Sequence, residues 1–111
     1  MKEENFELTI LEESNCPKII LSGNVASIQV KTLQRHLEKF FMGNNNVIYL
    51  DISSVIFLDS HGLGTIVYYH TLLHKKKRKL ILINNSDKNS YLSRLFENTN
   101  LDKVLNIIQT N

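Results

Sequence analysis

Apolar and polar positions alternate along the chain in two periods. Phe6 to Leu11 alternates apolar with polar residues and then turns apolar, the pattern of a strand with one wet face. A polar turn from Glu12 to Pro17 leads to Lys18-Ile19-Ile20-Leu21-Ser22, a β-branched run stopped by Gly23, so the two segments read as a hairpin. Ser27 is positioned to cap a helix whose apolar residues Val30, Leu33, Leu37, Phe40 and Phe41 recur every three or four places until Gly43 and three asparagines. Val47 to Ile52 is nearly all apolar, which predicts a central strand buried on both faces. A second helix begins near Ser60, with Leu63, Ile66, Val67, His70, Leu73 and His74 on the expected core face. On the same wheel Tyr68 and Leu72 fall nearly opposite, with Thr65 and Tyr69 beside them. Lys79 to Ile83 predicts another buried strand, Asn84 to Asp87 a turn, and Tyr91, Leu92, Leu95 and Phe96 a short helix before a last apolar segment, Val104 to Ile108.

The resulting order is ββαβαβαβ. Strands alternating with helices imply parallel neighbours and right-handed crossovers after an antiparallel hairpin. The expected fold class is therefore α/β, a mixed sheet with helices packed largely on one side, formed by residues 1–111 as a single domain.

Composition narrows the function. With 111 residues, 42% of them hydrophobic and 22% charged, the chain has a real but shallow core, which argues against a large enclosed active site. The single cysteine, Cys16, has no internal disulfide partner, and no ladder of Cys and His has metal-ligand spacing. The acidic start, Met1-Lys2-Glu3-Glu4-Asn5, is unlike a signal peptide, and no apolar run approaches the roughly 20 residues of a membrane span. A cytoplasmic, soluble protein without cofactor or metal is expected. Net charge is +2, but residues 1–13 hold five Glu against one Lys, and His74 to Lys79 holds five of the thirteen basic side chains. The basic run reads as a solvated helix end complementing its dipole rather than a nucleic-acid site, because no aromatic residues are interleaved with it. His70 and His74 lie four apart, but without the Glu of H-E-x-x-H.

The stretch unlike routine core is Leu58-Asp59-Ser60-His61-Gly62-Leu63-Gly64, where a buried strand hands over to a helix. Ser60 and Gly62 supply half of the G-x-S-x-G elbow of serine hydrolases, but Leu58 replaces the first glycine and adjacent Asp, Ser and His cannot form a triad. Gly62 and Gly64 begin a dinucleotide fingerprint whose third glycine position is Val67, and there is no Walker lysine. Two readings of Ser60 remain. It is an exposed serine that accepts a phosphoryl group from a partner kinase, or it is only the helix N-cap.

The run Asp51-Ile52-Ser53-Ser54-Val55-Ile56-Phe57-Leu58-Asp59-Ser60-His61-Gly62-Leu63-Gly64 resembles the signature of the STAS domain, in particular bacterial anti-sigma factor antagonists, D-L-S-x-V-x-F-[IML]-D-S-[ST]-G-L-G. The likeness extends to Leu21-Ser22-Gly23 and to Leu95-Phe96-Glu97-Asn98-Thr99-Asn100-Leu101. It implies a non-enzymatic switch with Ser60 as phosphoacceptor. The partner is an anti-sigma factor that is also a serine kinase of histidine-kinase-like ATPase type; the unphosphorylated chain binds it and releases a sigma factor, and a phosphatase resets the phosphorylated form. Asp59, Ser60, His61, Gly62, Leu63, Gly64 and Asn24 are the expected partner contacts; Tyr68 and Leu72 join them from the helical wheel, as apolar groups on the wet side that continue from Ser60 along one helix. A monomer or weak dimer with no direct nucleic-acid contact and no membrane insertion is expected. The alternative is a STAS subunit regulating a transporter, such as a lipid-export ATPase. The chain departs from the pattern at His61, where Ser or Thr is usual, at Ala26, where many members carry Asp, and in ending at Asn111, so that a closing C-terminal helix is expected to be short or absent. A protonated His61 imidazole could pair with a phosphate on Ser60 and make the switch pH-sensitive.

Overall fold

Two long neighbouring strands carry the fold. In the computed structural model, which describes residues 5–13 and 15–110, β2 (Cys16–Val25) and β3 (Val47–Leu58) pair in parallel at the centre of a five-stranded sheet ordered β1-β2-β3-β4-β5. β1 (Glu7–Glu13) is antiparallel to β2, as the hairpin pattern predicts, while β4 (Lys79–Ile83) and β5 (Asn106–Ile108) continue in parallel. Helices α1 (Ile28–Phe41), α2 (Ser60–Lys75) and α3 (Tyr91–Asn98) supply the crossovers, and a single 3₁₀ turn, Leu101–Lys103, leads into β5. Of the acidic opening, Met1–Glu4 lies outside the described residues, as do Ser14 and Asn111.

Side-chain alternation shows which sheet face is covered. Ile19, Leu21, Ile48, Leu50 and Ile52 are almost fully buried against the helices, whereas Lys18, Ile20, Val47, Tyr49 and Asp51 point the other way and are half-buried. The central strand is therefore buried on one face, not both, because the crossovers lie on one side of the sheet.

Both central strands run further than their patterns predict. Gly23 does not end β2: it takes φ +83°, and a Cβ there would lie 2.0 Å from the Asn5 carbonyl oxygen, so glycine lets the chain pass under Asn5 and continue to Val25. β3 continues to Leu58 with two register shifts against β2, where Ile20↔Asp51 gives way to Ser22↔Ser54 and Gly23↔Val55 to Asn24↔Phe57. Each shift inserts an extra β3 residue and breaks the two-residue alternation, which leaves Ile56 and Phe57 both exposed.

α1 buries Val30, Leu33, Leu37 and Phe40 as its spacing predicts, but Ser27 does not cap it. Ser27 sits at φ +53° with no side-chain cap bond. The buried face of α2 is also rotated from the predicted one. Gly62, Thr65, Ile66, Tyr69 and Leu73 are buried, while Leu63, Val67, His70 and Leu72 are half-buried and His74 is exposed. Thr65 and Tyr69, read as part of the wet side, are buried because α2 touches α1 as well as the sheet: the Tyr69 hydroxyl donates to Glu38 Oε1 at 2.6 Å, and its ring meets Phe41 edge-on at 6.2 Å. Burial, followed by the hydrogen bond to Glu38, raises the Tyr69 pKa.

One member of the basic run holds the fold. Arg78 does not complement the α2 terminus; its guanidinium donates to the carbonyls of Asn45 (2.6 Å), Phe41 (2.8 Å) and Phe40 (3.0 Å) and lies over the Phe41 ring. It thus satisfies the open carbonyls at the end of α1. Lys75, Lys76 and Lys77 remain exposed. Replacing Arg78 by alanine should cost about 1.5–3 kcal/mol, the range of hydrogen bonds to a charged group, and Arg78→Lys should recover only part of it because an ammonium cannot reproduce the planar fork. Urea unfolding of both variants measures this, and a fully stable lysine variant would show that charge alone suffices.

Candidate functional site

The residues singled out from the sequence lie at the carboxyl ends of β2 and β3, which extend beyond the last β3–β4 pair, Asp51↔Ile83. In open α/β sheets this edge is where ligands and partners gather, because helix N-termini and loops converge there. Asp59 organises it. Its backbone N–H donates to the Val25 carbonyl at 3.2 Å, continuing the β2–β3 ladder into the turn. Its side chain takes up two more donors: Oδ1 accepts from the Gly62 N–H at 2.7 Å and Oδ2 from the Ser27 N–H at 3.2 Å. Asp59 is thus the N-cap of α2 and also holds the left-handed residue at which the chain enters α1.

This corrects the capping reading of Ser60. Ser60 is the first residue inside α2, exposed to solvent, with the cap supplied by its neighbour. His61 beside it is exposed too. Gly62 is buried because the turn presses α2 onto the sheet: a Cβ there would lie 2.7 Å from Leu58 Cδ1 and 3.3 Å from the Val25 carbonyl oxygen. Leu63 is half-buried and packs against the core, whereas Gly64 is exposed. Asn24 is half-buried in register with Phe57, so it joins this edge. Further along α2, Tyr68 is 56% exposed, but Leu72 is partly packed against the core and does not share its open face.

Two residues were not singled out from the sequence. Phe57 (43% exposed) and Tyr91 (45% exposed) stack at 5.7 Å between ring centroids with 23° between planes, beside the turn that carries Ser60. The Tyr91 hydroxyl donates to the Leu58 carbonyl at 3.0 Å. Tyr91 therefore stands outside the core of α3, which Leu92 and Phe96 supply, and ties α3 to the end of β3. The signal available was an aromatic two places before Asp59, but only the β3 register shift turns it outward.

His70 and His74 stack four residues apart, at 6.1 Å, and burial followed by the charge of His74 lowers the His70 pKa. Among the described residues no group of three or more His, Cys, Asp or Glu side chains converges to hold a metal ion, and no helix is long and apolar enough to cross a membrane.

The division of labour at the turn has a direct consequence for stability. Asp59→Ala should cost about 1–2 kcal/mol, the usual worth of an N-cap, since it also releases Ser27. Ser60→Ala should stay within about 0.5 kcal/mol of the unsubstituted chain, as expected for an exposed surface position. Thermal and urea unfolding of the pair decide it; equal losses would return the cap to Ser60.

Comparison with known proteins agrees with this architecture. An anti-sigma-B factor antagonist of Listeria monocytogenes is 29% identical over 89 residues, covering 80% of this chain and 75% of the relative. Among solved structures, an anti-sigma factor antagonist from Mycobacterium paratuberculosis superposes with a TM-score of 0.82 at 18% identity, covering 96% of this chain and 87% of that one. The Bacillus cell-fate determinant SpoIIAA in its phosphorylated form gives 0.72 at 18% identity, over 96% and 92%. At these identities the structures establish the fold. The model of the STAS domain matches residues 7–111, and the chain belongs to the STAS domain family.

Proposed function

We propose that the chain is an anti-sigma factor antagonist whose switch is phosphorylation of Ser60. The observation that carries the reading is the exposed position of Ser60 at the start of α2, relieved of capping by Asp59. A serine there can be modified without breaking a hydrogen bond on which the fold depends. The Listeria relative is named for antagonising an anti-sigma factor, and SpoIIAA has been solved in unphosphorylated and phosphorylated forms, which supports the same reading for this chain.

The chain contributes the acceptor and its presentation, and the partner contributes ATP and catalysis. In the transfer, Ser60 Oγ forms a bond to the γ-phosphorus, the bond from that phosphorus to the β,γ-bridging oxygen breaks, ADP leaves, and the hydroxyl proton passes to a base on the partner. A phosphoserine adds about −1.5 to −2 charges at pH 7. At the N-terminal end of α2 the helix dipole tolerates this charge, while Asp59 beside it opposes it. The switch therefore acts at the docking surface, through bulk and repulsion, and α2 stays formed. That surface comprises Asp59, Ser60, His61, Gly62, Leu63 and Gly64, with Asn24, Tyr68 and the Phe57–Tyr91 stack around it; Leu72 is half-buried against the core, off the face that Tyr68 opens. The partner is an anti-sigma factor of histidine-kinase-like ATPase type, and a phosphatase returns the chain to its binding form.

The test is binding of purified wild type, Ser60→Ala and Ser60→Glu to each histidine-kinase-like ATPase of the source genome, by calorimetry with ADP or ATP present. Wild type and Ser60→Ala should bind one of them, and Ser60→Glu should bind at least about 100-fold more weakly, a loss of ~2.7 kcal/mol. Equal affinity of the glutamate variant would sink the switch.

A further inference from the structure

Two glycines lie two residues apart at the start of α2, and the structure gives them opposite roles. Gly62 is closely packed, since a Cβ there would crowd buried Leu58 Cδ1 at 2.7 Å and the Val25 carbonyl oxygen at 3.3 Å, and both would have to shift. Around Gly64 a Cβ would meet nothing within 4 Å. The residue is exposed and helical, so it needs neither left-handed backbone nor close packing within the chain. Glycine inside a helix is also destabilising relative to alanine, because it loses the most conformational freedom on becoming ordered. Among the described residues nothing accounts for a bare backbone at this position.

Its place on the helix does. Ser60, Gly64 and Tyr68 follow one another at intervals of four, so they line one face at about 5–6 Å between neighbours. Tyr68, 56% exposed, stands edge-on to Tyr69 at 5.1 Å one turn beyond Gly64. A kinase that phosphorylates Ser60 must bring its phosphorus to roughly 3–3.5 Å from Oγ, and a surface that close to Ser60 also covers the next turn of α2.

We infer that Gly64 is the point at which the main chain of the phosphorylating partner lies directly on α2, with Ser60 on one side and the Tyr68 ring on the other. This rests on the proposed function and adds to it the reason for the second glycine. A bare Cα allows backbone to meet backbone, including Cα–H···O contacts to a partner carbonyl, and a methyl group would hold the two chains apart. The occupant is the ATP-binding anti-sigma factor, because the proposed switch has it both bind the unmodified chain and reach Ser60 Oγ, whereas the phosphatase meets only the phosphorylated form.

The experiment compares wild type, Gly64→Ala and Gly62→Ala in thermal unfolding, in affinity for the ATPase that binds the wild-type chain, and in the rate of Ser60 phosphorylation. Gly64→Ala should melt roughly 3–6 °C higher and yet bind at least tenfold more weakly, with phosphorylation slowed to match. Gly62→Ala should melt lower. Affinity and rate within twofold of wild type for Gly64→Ala would overturn the inference, as would a lowered melting temperature, which would make the glycine structural. If no such ATPase binds or phosphorylates the wild-type chain, the proposed function itself fails and takes this inference with it; the wild-type control separates the two cases.

Discussion

The two-oxygen contact of Asp59 is the constraint on which the rest of the site depends. Oδ1 holds the Gly62 N–H and Oδ2 the Ser27 N–H, while the Asp59 backbone extends the ladder to Val25. One residue therefore joins the ends of both long strands to the starts of both long helices. A carboxylate suits the position because it accepts two donors at once and complements the positive end of the α2 dipole. It also holds Ser27 in a region of backbone space that a side chain disfavours.

With the cap on Asp59, the next residue has no structural task and is left in solvent. The sheet reinforces the arrangement, since β2 and β3 extend past β4 and carry the turn to the edge of the molecule. The exposed end of β3 is secured by side chains: Ser53 accepts the Asn85 N–H, and Tyr91 donates to the Leu58 carbonyl. The result is a hydrogen-bonded platform with Ser60 at its rim, the exposed Phe57–Tyr91 stack nearby and the bare backbone of Gly64 behind. Exposed aromatic groups of this kind are typical anchors for a partner.

Much of this was legible in the residues. The period of α1, the alternation of β1 and the short apolar run of β4 all point to the observed order, and the Asp-Ser-His-Gly-Leu-Gly turn to the corner where β3 hands over to α2. Local rules failed where a tertiary contact overrode them. Gly23 reads as a stop, but the carbonyl of Asn5 above it makes it a passage. The end of β3 loses its alternation because two extra residues are accommodated opposite β2. The α2 wheel misassigned Tyr69 because a helix wedged between a sheet and another helix buries more than one stripe. Arg78 looked like one more surface cation, and only the fold brings the end of α1 beneath it.

The central claim is that Ser60 is a site of modification from which the fold is insulated, so that phosphorylation changes docking and leaves structure intact. Amide hydrogen exchange across α2, in the unmodified chain and the chain phosphorylated at Ser60, tests it most directly. The account predicts that protection of the α2 amides from Ile66 to Leu73 is retained while changes stay near Asp59 to Gly64 and Ser27. Loss of protection along the length of α2 would contradict it, because the phosphate would then act by melting the helix rather than by closing a surface.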